Sequence, residues 1–218
     1  MSQSCPIVVA GVGGQGVISL ARLLGNAATE AGLEARVGQI YGLSQRGGSV
    51  EATVRIGPGN TAFISPREAT ILVGLEPLEA ERATPKISPE ATVLLNSVPI
   101  VPTTLTLTGG TYPELTSIVS RIGEASGQVH VFDGTALATR AGDARLLNVV
   151  MLGALAGVGL LPVPSSALAA AVERLRSPSD SAAQRAFSLG EEHGSNMAGS
   201  NQLQGPPTGG ASGPRPLS

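Results

Sequence analysis

The sequence predicts an α/β fold, a Rossmann-like layered fold with a mixed, mostly parallel sheet and flanking helices. Three adjoining features predict it. The apolar run PIVVA at residues 6–10 ends at a cluster of glycines, as a buried parallel strand does. Beyond Gly16, Val17, Leu20, Ala21, Leu24, Ala27, Ala28 and Ala31 recur at steps of about three and four, with Ser19, Arg22, Asn26 and Glu30 between them. That spacing is an amphipathic helix, stopped by Gly32. Residues 35–40 then read as a second strand, which makes the opening a βαβ unit.

The remaining elements follow in order. Residues 49–56 alternate, with Val50, Ala52, Val54 and Ile56 on one face and Ser49, Glu51, Thr53 and Arg55 on the other. Strict period two predicts a half-exposed strand, antiparallel or at an edge. Residues 69–75, 91–96 and 129–132 are further strands, the last preceded by a helix over 113–125. Residues 146–161 are nearly all apolar, but Asn148 interrupts them and Pro162 follows at once. A membrane span needs about 20 predominantly apolar residues, so this is a buried or interface helix. Its Gly153 and Gly157 form a GxxxG pair, suited to core packing or a subunit contact. Helices over 165–175 and 181–189 each start near a serine. From Gly194 the composition turns to Gly, Pro and Ser, so residues 1–194 form a single domain and residues 195–218 a disordered tail.

Composition excludes several functions. The 218 residues carry 14 Lys and Arg against 16 Asp and Glu, without a basic run, so neither nucleic acid nor an anionic membrane finds a footprint. Aromatics are 2% of the chain, too few for base stacking. The single cysteine, Cys5, excludes an internal disulfide and a four-thiolate metal or iron–sulfur site from this chain alone. His130 and His193 lack metal-ligand spacing, and His130 sits in an apolar strand as a packing residue. The N-terminal segment has no secretory pattern, which makes a reduced, cytoplasmic protein the expectation.

Two glycine loops are the candidate sites. Gly11, Gly13, Gly14, Gln15 and Gly16 lie between a strand and a helix N-terminus, where free amides and the helix dipole favour a phosphate. The GxGxxG spacing is also that of a dinucleotide site, but the second strand ends VGQIY with no acidic residue for the ribose hydroxyls. A tight turn without ligand remains open. The second loop holds Ser44, Gln45, Arg46, Gly47 and Gly48, where an arginine among glycines and small polar groups suits an anion. A solvated arginine in a plain connection is its other reading. No GDG segment with a following Asn binds thiamine diphosphate, and the segment FDGT at 132–135 reads as a strand end and a helix cap.

The runs GVGGQG at 11–16 and GLSQRGGSVEATVRIG at 42–57 together resemble the gamma-type domain of the 2-oxoacid:ferredoxin oxidoreductase family. SQRGGS without insertion is most similar to the indolepyruvate branch. Collinear weaker matches follow: GLEPLEA at 74–80, Asn96, Pro99-Ile100, Pro102, Tyr112-Pro113, Asn148 with LGAL at 152–155, and Ala186-Phe187 with Gly190. The resemblance covers about residues 5–194. It implies a subunit of a complex that oxidatively decarboxylates aryl 2-oxoacids to acyl-coenzyme A and reduces ferredoxin. It also implies a large partner subunit carrying thiamine diphosphate and iron–sulfur clusters, with no cofactor held by this chain alone. The two loops are then expected to face the partner's active site and help hold coenzyme A phosphates, or instead to shape the subunit interface. A pyruvate- or 2-oxoisovalerate-type gamma subunit, a stand-alone NAD(P)-binding oxidoreductase and a purely structural subunit are the competing readings.

Overall fold

The computed structural model describes residues 4–41, 48–101, 110–174 and 181–202. Six strands form one sheet: β1 (Cys5–Val12), β2 (Ala35–Tyr41), β3 (Ser49–Ile56), β4 (Ala69–Gly74), β5 (Ile87–Asn96) and β6 (Gln128–Phe132). The helices are α1 (Val17–Glu30), α2 (Pro77–Ala83), α3 (Leu115–Ala125), α4 (Gly134–Ala141), α5 (Leu147–Val158), α6 (Ser165–Arg174) and α7 (Ser181–Gln202). The strand order is β2-β3-β1-β4-β5-β6, with β1, β4, β5 and β6 parallel and β3 antiparallel to both neighbours.

Successive side chains of a strand point to opposite faces, so a strand buried on both sides feeds two cores. In β1, Ile7 and Val9 join the core under α1, α5, α6 and α7, while Val8 and Ala10 join the one under α2 and α3. In β4, Ile71 and Val73 take the first core and Leu72 the second. The result is three layers, helices on both faces of a mixed, mostly parallel sheet, as the sequence predicts.

Three expectations need correction. The βαβ opening is split, because β3 inserts between β1 and β2 and pairs antiparallel with each. β3 is antiparallel, one of the two expected arrangements, but interior, and half of its polar face is covered: Ser49 stays exposed while Thr53 and Arg55 are buried. The connection after β3 folds over them, and Arg55 pins it by donating to the carbonyls of Thr61 (2.9 Å) and Phe63 (2.7 Å) while pairing with Glu68 (2.8 Å). Finally, the last helix does not stop near Leu189 but runs to Gln202, past the expected domain boundary at Gly194.

Glycines explain that length. α5 and α7 cross so closely that a Cβ on Gly153 would lie 2.1 Å from the Phe187 carbonyl oxygen, and one on Gly157 would lie 2.1 Å from that of Glu191. Gly190 and Gly194 return the contact against Val150 and Ala154. The GxxxG pair thus packs within the chain, and Met197 adds apolar contact beyond Gly194. Among the described residues no helix is long and apolar enough to cross a membrane.

Candidate functional site

Parallel strands β1, β4, β5 and β6 all end at one edge of the sheet, where helices α1, α2 and α4 begin. The strand order reverses between β1 and β4, since the chain leaves β1 toward β2 on one side and continues to β5 and β6 on the other. Ligands of open α/β sheets bind outside such a switch point. The first glycine loop and the Leu75–Glu76 turn occupy it.

Each residue of the glycine loop has a separate task. A Cβ on Gly11 would lie 2.8 Å from Gln15 Oε1 and 3.0 Å from Leu75 Cβ, so Gly11 permits close packing. Gln15 braces the crevice: its Oε1 accepts from Val12 N–H (2.7 Å) and its Nε2 donates to the Leu75 carbonyl (2.9 Å). Gly13 N–H donates to the Gly48 carbonyl (3.0 Å), which brings the end of the second loop against the first. Gly14 is exposed, with φ +103° and nothing within 4 Å of where a Cβ would stand. Gly16, at φ +83°, is the residue before α1, and no side chain caps the helix. Its first-turn amides have no intrahelical acceptor and face outward with the positive end of the helix dipole. Ser44, Gln45, Arg46 and Gly47 lie outside the described residues.

The neighbouring helix starts are closed. Glu76 is 1% exposed and accepts from Glu79 N–H (2.9 Å), Tyr112 O–H (2.5 Å) and Ile100 N–H (3.3 Å). Burial, then the hydrogen bond to Glu76, push the Tyr112 phenol well above its ordinary range. At α4, Asp133 Oδ1 accepts from Ala136 N–H (2.7 Å), the cap expected from the sequence, and Asn96 Oδ1 accepts from Gly134 N–H (3.0 Å). Asn96 Nδ2 donates to the Leu75 carbonyl (3.0 Å), which Gln15 shares. A polar seam therefore ties the ends of β1, β4 and β5 to the start of α4 and holds the crevice rigid.

Sequence reasoning did not assign Glu76, Asn96, Tyr112 or Asn148 to the site. Asn148 carried a signal nonetheless, as a polar residue in an apolar helix, and it packs against Gly16. Among the described residues, no thiol and no metal-binding cluster stands at this end of the molecule. Cys5 lies at the start of β1, at the opposite edge, and burial raises its thiol pKa, which disfavours the ligating thiolate. Among the described residues no group of three or more His, Cys, Asp or Glu could hold a metal ion.

A family model described as "Pyruvate ferredoxin/flavodoxin oxidoreductase" matches residues 6–190. The chain belongs to that family. It is 41% identical over 162 residues to "Indolepyruvate oxidoreductase subunit IorB" of Methanothermobacter thermautotrophicus, covering 74% of this chain and 83% of that one. Among solved structures, the gamma subunit of a keto/oxoacid ferredoxin oxidoreductase from Geobacter sulfurreducens is similar at a TM-score of 0.65 and 21% identity, over 88% of this chain and 99% of that chain. A 2-oxoglutarate:ferredoxin oxidoreductase from Magnetococcus marinus, solved with 2-oxoglutarate, coenzyme A and succinyl-CoA bound, is similar at a TM-score of 0.68 and 19% identity. That match covers 90% of this chain but 32% of the other. The fold of the family thus occurs both as a separate subunit and as one part of a longer chain.

Proposed function

We infer that this chain works as the small subunit of a 2-oxoacid:ferredoxin oxidoreductase of the indolepyruvate type. The observation that carries the reading is the 41% identity over 162 residues to an IorB subunit, beside a family match over residues 6–190 that spans both glycine loops. The complex, cytoplasmic in this reading, decarboxylates an aryl 2-oxoacid, reduces ferredoxin and transfers the acyl group to coenzyme A. Thiamine diphosphate and iron–sulfur clusters reside on a large partner subunit, consistent with the one half-buried cysteine here. The missing acidic residue on β2 and the insertion of β3 beside β1 both disfavour a dinucleotide site of the NAD type.

This chain's own contribution is to bind and orient. The uncapped start of α1 presents backbone N–H donors to a phosphate of coenzyme A, and Arg46 on the adjoining loop supplies a second, charged fork. The test uses the complex copurified with its large subunit. Arg46→Ala should raise the coenzyme A KM about 10- to 100-fold, the value of a charge-assisted hydrogen bond of roughly 1.5–3 kcal/mol. The oxoacid KM should hold, and Arg46→Lys should recover part of the loss, since a point charge lacks the fork. Loss of copurification would assign Arg46 to the subunit interface, and unchanged kinetics would remove it from the site.

A further inference from the structure

We propose that Asn148 is a binding residue of this site: its side-chain amide and the first-turn amides of α1 together hold one oxyanion, a phosphate ester or a carboxylate. The proposal deepens, and rests on, the reading that the glycine turn binds an anion. Asn148 stands at the start of α5 between Leu147 and Val149, with Val150, Met151 and Leu152 following, all buried. It is itself 8% exposed and makes no hydrogen bond to any described residue. A largely buried amide that no protein group satisfies leaves its hydrogen-bonding capacity to water or to a ligand.

The surroundings favour a ligand. A Cβ on Gly16 would lie 2.8 Å from both Cγ and Nδ2 of Asn148, so the amide lies alongside the residue from which α1 starts. Gly16 is needed there twice, once for its φ of +83° and once to leave room for this side chain. The amide is also accessible. Among the described residues, the only side-chain polar atom that is both sealed from solvent and unpartnered is Glu79 Oε2. Asn148, equally without a partner, therefore keeps its amide in touch with solvent. A donor held rigidly by an apolar helix, next to uncapped amides at a helix N-terminus, suits an oxyanion that both can reach.

The experiment measures KM for coenzyme A and for the oxoacid in the copurified complex with Asn148→Ala and Asn148→Asp. One of the two constants should rise about 10-fold or more in the alanine variant, the range for a lost hydrogen bond to a charged group. It should rise further in the aspartate variant, where a carboxylate of the same size repels the anion. A rise for coenzyme A identifies a phosphate ester, and a rise for the oxoacid identifies its carboxylate. Unchanged constants in an intact complex would overturn the proposal and leave the amide on water. Arg46→Ala serves as the control: a rise there without one at Asn148 spares the turn as an anion site, whereas no rise in either removes both. Should Asn148→Ala melt early, Asn148→Asp decides, and failure of both to assemble would make Asn148 a packing residue.

Discussion

Helices α1, α2 and α4 begin at the same edge of the same sheet, yet two of the starts are closed and one is open. Glu76 caps α2, and Asp133 with Asn96 caps α4, so their first-turn amides already have acceptors. Two of those caps are carboxylates, which would also repel an arriving anion. α1 begins instead on a left-handed glycine without a cap, beside an exposed Gly14. Equal backbone chemistry is thus consumed by stability at two positions and left available at the third. The uncapped start of α1 is the one at this edge where the proposed anion would bind.

The largest expected effect comes from breaking a closed end. Glu76→Ala leaves three donors, on Glu79, Tyr112 and Ile100, without their acceptor. Relief of the carboxylate's desolvation offsets part of the loss, and a net cost of about 2–4 kcal/mol remains. Thermal melts should fall by roughly 5–15 °C at this chain length. Asp133→Ala, which removes an exposed cap, should cost about 1 kcal/mol. Neither should alter the coenzyme A KM of complex that remains folded. A Glu76→Ala protein as stable as the wild type would show that the cluster is not a cap in solution.

Breaking the open end should reverse the balance between stability and binding. Gly14→Leu places a side chain at a φ of +103°, with a backbone cost of about 1–2 kcal/mol, but meets no neighbour. Its larger effect should be on coenzyme A affinity, because the side chain stands beside the uncapped amides. Arg22→Ala, on the outer face of α1, should change stability by under about 0.5 kcal/mol and leave kinetics alone. Indistinguishable Gly14→Leu and Arg22→Ala complexes would reduce the open turn to a simple connection.

The contrast between the helix starts was only half legible in the sequence. The glycine turn and α1 were readable because their signals are local: a strand, a turn and a 3.6-residue period lie within thirty residues or so. Asp133 was readable as a cap for the same reason. Glu76 and Asn96 were not, because their partners come from distant segments that only the folded sheet brings together. Sheet order failed similarly: the alternation in β3 shows a strand, but insertion between β1 and β2 is decided by non-local pairing. Burial of Arg55 depends on a loop that folds back over it. The extent of α7 was missed because EEHGSNMAGS has poor helix propensity, and packing of Gly190 and Gly194 on α5 overrides it.

The smallest effect separates acid sensitivity from the site. From Gly11 to Ser19 the open end carries no titratable side chain, and neither does Asn148. His130, half-buried on β6 ahead of the α4 cap, is pushed below its ordinary pKa of 6.5 by burial. Between its folded value and 6.5 the unfolded chain binds the extra proton more readily, so stability rises with pH across that window. His130 therefore contributes fully above 6.5 and progressively less as the pH falls below it. The Arg55–Glu68 pair acts lower: hydrogen bonding to Arg55 holds the Glu68 carboxyl below its ordinary 4.5, so its contribution is intact above 4.5 and is lost as the pH drops through the folded value. Melting wild type and His130→Gln at pH 7, 6 and 5 isolates the first window. The variant should lose less stability on acidification than the wild type, with Glu68 silent in both. Parallel slopes would place the acid response elsewhere in the fold.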